Sequence, residues 1–90
     1  MEIKRISPFL SVSPQIYPAH VERLAMLGFK TIINNRPDNE TDDQPMEAEL
    51  SEVAAKYAIE FISIPVIPGE LTEQNVKEFS DAMSRVTGPV

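Results

Sequence analysis

The stretch KTIINNRPDNE, Lys30 to Glu40, runs three apolar or β-branched residues into two amides, an arginine and a proline before it turns acidic. It has the pattern of a buried strand emptying into a polar loop that carries one cation, Arg36. A plain structural role for that cation is an ion pair with Asp38 or with a carboxylate of the next helix. The carboxylates beyond it invite a calcium reading, because Asp38, Glu40, Asp42 and Glu49 have the spacing of the first, third, fifth and twelfth ligands of a calcium loop. However, the position that needs glycine is Asp43, Pro45 interrupts the run, and a strand leads into it where a helix is required. The run therefore reads as a solvated loop, and no metal site is expected. His20 is the only histidine and has no partner ligands in the sequence. Ser11 and Ser13 lack the strand–turn–helix elbow of a serine hydrolase. With no cysteine, these residues supply no disulfide, thiolate metal site or thiol nucleophile.

A chain of 90 residues makes at most one small domain. A hydrophobic content of 42% argues for a folded chain over a disordered one. The net charge of −6, with basic residues scattered, argues against nucleic acid and against a helix lying on a membrane. No apolar run approaches a membrane span. The opening MEIKRISPF lacks the apolar core of a secretion signal, so the expected location is the cytoplasm.

The elements that must position Arg36 alternate between extended and helical patterns. Ile6 to Val12 reads as an extended opening, with Pro8 marking an edge strand or a short hairpin. Pro18 suits the first turn of a helix whose apolar face is Val21, Leu24, Ala25 and Leu27, and Gly28 supplies its left-handed stop. Thr31 to Ile33 suits a central strand, apolar on both faces. Pro45 opens a second helix with Met46, Leu50, Val53, Ala54 and Tyr57 inward, and Ile59 to Val66 is the second strong strand. Thr72 is a good N-cap for a third helix with the stripe Val76, Phe79, Met83 and Val86. The order predicts an α/β fold with a mainly parallel sheet and helices on both faces. Such folds place their chemistry at the carboxyl ends of the strands, where the loops 34–43 and 67–71 would share one edge. After Gly88 the pattern asks for another apolar strand, and Val90 alone is supplied.

The segments SPQIYPAHVERLAMLGFKTIINNRPDNE, IEFISIPVIPGELTEQNVKEF and TGPV resemble a bacterial family with a fold like that of dual-specificity protein phosphatases. Its members occur alone or at the N-terminus of beta-lactamase-hydrolase-like proteins. GFKTIINNRPD and IPVIPG carry the resemblance most specifically. In that family the segment matching Gly88-Pro89-Val90 leads into a central strand and a Cys-x5-Arg loop. The resemblance therefore implies that residues 1–90 form a single, incomplete cysteine-phosphatase-like domain, lacking its last central strand and catalytic loop. It places Arg36 beside an anion pocket, with Asn34 and Asn35 shaping the loop and Asn35, Arg36 and Asp38 as candidate substrate-binding residues. It makes Glu70, in the loop Ile67-Pro68-Gly69-Glu70-Leu71, the candidate general acid, with Asp38 as runner-up. An acid just before the Thr72 cap is also what the helix dipole favours. The implied activity is phosphomonoester hydrolysis through a phosphocysteine, without a cofactor, on a phosphorylated small molecule or phosphoprotein. Two alternatives stand beside it. One is sulfur transfer through a persulfide on the same missing cysteine, since some members have been labelled sulfur transferases. The other is a non-catalytic interaction module, whose open sheet edge pairs with a partner or exchanges a strand with a second copy.

Overall fold

A computed structural model describes residues 2–36, 44–67 and 69–90. Pro8 does break the opening segment. Strands β1 (Lys4–Arg5) and β2 (Ser11–Val12) form an antiparallel hairpin, closed by bonds from the Ile6 and Ser7 amides to the Leu10 carbonyl. This pair is antiparallel, as the hairpin expectation for Ile6 to Val12 allows.

Helix α1 (Pro18–Met26) starts on its proline, and the Tyr17 amide donates to His20 Nδ1 at 3.0 Å. His20 thus helps cap the first turn. The helix ends in a Schellman turn: Gly28 has φ +94°, its amide bonds the Ala25 carbonyl, and the Phe29 amide bonds the Leu24 carbonyl. Leu27, expected inside, is the C-cap residue and more than half exposed. Strand β3 (Thr31–Asn34) follows, then α2 (Glu47–Lys56), then β4 (Glu60–Ser63). Helix α2 ends in the same kind of turn, with Ala58 at φ +58° where glycine is usual; the Ala58 and Ile59 amides bond the Ala55 and Ala54 carbonyls. Helix α3 (Glu73–Arg85) begins on the expected Thr72, whose hydroxyl accepts from the Asn75 amide while its own amide donates to Asn75 Oδ1.

Strands β3 and β4 are parallel, with Thr31 opposite Glu60 and Asn34 opposite Ser63. Alternation along a strand sends neighbouring side chains to opposite faces. Ile32 and Phe61 pack on Val21, Leu24, Leu50 and Ala54 of α1 and α2, and Ser63 Oγ donates to Glu47 of α2. The opposite set turns to α3 and the chain after it. Thr31 Oγ1 donates to the Thr87 carbonyl at 2.8 Å, and Arg85 pairs with Glu60 at 3.5 Å. Helices therefore cover both faces. On α3, Ala82 is buried and Phe79, Met83 and Val86 are half-buried, but Val76 is mostly exposed.

The two strand pairs remain separate sheets among the described residues. Pro89 and Val90 lie between them at one end. The Val90 amide donates to the Phe9 carbonyl, the Val90 carbonyl accepts from the Ser11 amide, and the Pro89 carbonyl accepts from the Lys30 amide. The bonds to Phe9 and Ser11 make the pattern of a parallel bridge centred on Leu10.

Candidate anion site at the end of a cleft

Between β2 and β3 runs a cleft of about 270 Å³. Leu10, Thr31 and Val90 stand at one end and Pro14, Gln15, Asn35 and Arg36 at the other. Leu24, Ile32, Leu50, Phe61 and Phe79 make much of its wall apolar. Arg36 is the only charged side chain among the described residues that line it. A cation against an apolar wall interacts more strongly with an anion than one in open water does.

Local chain geometry fixes the loop that carries it. Asn34 Oδ1 accepts from the Arg36 amide at 3.3 Å, an Asx-type turn that ends the strand. The Asn34 and Asn35 carbonyls accept from the Ile64 and Val66 amides, so pairing continues past β4 into the next loop. The loop after β3 and the chain leading to Glu70 thus meet at one sheet edge. Across the cleft, Arg36 Nη1 donates to Gln15 Oε1 at 2.9 Å, joining two loops 21 residues apart.

The structure brings Asn35 and Arg36 together in the cleft. Asp38 and the calcium-like run up to Asp43 lie outside the described residues, as does Pro68. Glu70 is exposed and lines a separate pocket with Pro65, Ile67, Leu71, Thr72 and Asn75. Its amide bonds the Ile67 carbonyl, with Gly69 at φ +79° in the turn. Gln15 is the site residue that the sequence pattern did not single out. An amide between an extended segment and Pro18 carries no spacing signal, and its contact with Arg36 arises only from the topology.

Helices on both faces of a parallel strand pair, with a polar loop carrying Arg36 at the end of a cleft, place the candidate site where α/β folds bind ligands. The chain belongs to the family of phosphatase-like domains of beta-lactamase hydrolase-like proteins, whose sequence profile matches residues 2–90. It is 33% identical over all 90 residues to a beta-lactamase hydrolase-like protein of Agrobacterium fabrum, and 30% identical to one of Xylella fastidiosa strain Temecula1. The chain spans only 21% of the length of either relative. A crystal structure from Neisseria meningitidis Z2491, of a protein provisionally named a phosphatase, superimposes with a TM-score of 0.90 at 33% identity, covering all of this chain and 64% of the other. A second, from Shewanella putrefaciens CN-32, shares the fold at 20% identity, with a TM-score of 0.81 over 92% of this chain and 51% of that one. Among the described residues, no helix is long and apolar enough to cross a membrane.

Proposed function

We propose that the chain is the anion-recognising part of a cysteine-dependent domain that hydrolyses phosphomonoesters in the cytoplasm. On this reading the substrate is a phosphorylated small molecule or phosphoprotein, and the nucleophile comes from a strand and loop that run on from Val90. The observation that carries the reading is the bonding of Pro89 and Val90 between β2 and β3. A strand continued in that register would pass up the cleft and end beside Arg36. A loop of backbone amides there would bind an oxyanion and favour a thiolate.

The chemistry needs only groups at that edge. The thiolate attacks phosphorus, and the bond from phosphorus to the leaving oxygen breaks as that oxygen takes a proton from Glu70. Water then displaces sulfur from phosphorus and gives its proton to the Glu70 carboxylate, which restores the thiolate and releases phosphate. Glu70 suits this role because the Val66–Asn35 bond brings its loop to the same edge as Arg36.

Joining residues 1–90 to the segment that follows the matched region of the Agrobacterium relative tests the proposal. Hydrolysis of an aryl phosphate that disappears when the cysteine implied there by the family resemblance is changed to serine is the expected result. Persulfide transfer without phosphate release would replace phosphatase by sulfur transferase.

A further inference from the structure

We propose that the end of the molecule where β3 and β4 begin is a docking surface for an acidic, amphipathic segment of a partner protein. Parallel pairing of the two strands sets the turns after α1 and α2 side by side there, and the Glu60 amide bonds the Lys30 carbonyl at 3.0 Å. The first turn presents Met26, which is 81% exposed, and Leu27; the second presents Tyr57. Met26 and Leu27 stand one helical turn beyond Arg23, on the same stripe of α1. Lys30 follows the first turn, Lys56 precedes the second, and all three cations are exposed. Basic residues that are scattered in the sequence are thus gathered around exposed apolar ones by the fold.

Helix dipoles account for cations in a last turn, but not for the apolar side chains among them. Among the described residues Arg23, Lys30 and Lys56 form no ion pair, and Glu60, the carboxylate beside Lys30, is paired with Arg85. In a chain of net charge −6, this end is the local exception. Carboxylates of a partner are drawn to it, while the negative charge elsewhere repels the same partner and so sets where it lands. Methionine adapts to side chains of varied shape, and tyrosine supplies rigid contact area. The surface lies at the opposite end of β3 from Arg36 and owes nothing to the anion reading of the cleft.

The test is titration of the 90-residue chain with blocked synthetic peptides, followed by amide NMR signals. One peptide is built of glutamate and leucine, a second has lysine for glutamate, and a third has serine for leucine. The glutamate–leucine peptide should shift the amides of residues 26–30 and 56–60, bind more tightly than either control, and weaken as salt is added. Lys30→Glu combined with Lys56→Glu should raise its Kd about tenfold, and Met26→Ser about threefold. Dispersed amide spectra verify that each variant is folded, and Met26→Ser alone still reports on the surface if the double reversal is not. Leu71→Ser, at an exposed apolar position on another part of the molecule, should leave the Kd unchanged. Shifts confined to the cleft, equal binding of the lysine peptide, or a Kd unmoved by these substitutions would overturn the proposal. So would a wild-type chain that binds none of the peptides. Self-association of the chain alone, seen by sedimentation and abolished by the double reversal, would overturn the partner assignment in favour of a second copy.

Discussion

Arg36→Ala removes the single charged side chain from the described lining of the cleft, leaving Asn34, Asn35, Gln15, Thr31 and two serines as its polar side chains. The expected loss in phosphate affinity is about 1.5–3 kcal/mol, the range for a charge-assisted hydrogen bond. Arg36→Lys should recover only part of it, because a point charge on a flexible stem cannot reproduce the fork that meets Gln15. Titration calorimetry with phosphate separates the three proteins. Glu70→Gln should behave differently. The carboxylate lies in another pocket, so phosphate affinity of the 90-residue chain should match wild type. In a protein with its cysteine segment attached, the same change should slow substrates with poor leaving groups and spare activated ones.

At the scale of elements, the turn after α2 uses a residue poorly suited to it. Ala58 adopts a left-handed conformation that costs an L-residue roughly 1–2 kcal/mol, while glycine there would add about 0.4–1 kcal/mol of unfolded-state entropy. Ala58→Gly should therefore stabilise the chain by roughly 0.5–1 kcal/mol, read as a rise in the urea midpoint. Thr31→Val tests the tie between β3 and the chain after α3. Its hydroxyl is buried and bonds the Thr87 carbonyl, so removing it should cost about 1–3 kcal/mol. These elements differ in how far the sequence disclosed them. Gly28 and Thr72 were legible because each acts within a few residues of itself, through a left-handed stop and a side-chain cap. The apolar run of β3 was legible from its two-sided burial pattern. Ala58 was not, since an alanine carries no signal of a left-handed turn and the strand that follows imposes it. Nor was the exposure of Leu27 and Val76, which helical spacing puts on an apolar face but neighbouring elements do not cover. The pairing of Gln15 with Arg36 was the least accessible, being set by which strands lie side by side.

Taken whole, the molecule is two strand pairs held around a cleft, bridged at one end by Pro89–Val90 and at the other by Gln15–Arg36. An apolar strand lying in that cleft would bury several side chains against Ile32, Phe61 and Phe79, at roughly 1.5–3 kcal/mol for each one fully covered. Extending the chain with the matching relative's next segment should raise both the urea midpoint and the slope of the transition, because more surface would be buried on folding. An unchanged midpoint and slope would count against a strand in the cleft.

The attachment of Val90 to Ser11 also bears on the order in which the chain can fold. The β1–β2 hairpin precedes the other elements in the chain, yet the backbone groups that bond its inner edge belong to Val90. By contrast, the bond from the Ile64 amide to the Asn34 carbonyl closes over a much shorter loop. Closing a longer loop costs more chain entropy, so the β3–β4 pair and its helices should assemble while the hairpin edge still lacks its partner. Pulse-labelled hydrogen exchange during refolding should then find the Ile64 amide protected before that of Ser11. A hairpin edge that waits this long is open to pairing with another chain, which makes the N-terminal strands, rather than the central pair, the place where crowded refolding would go astray.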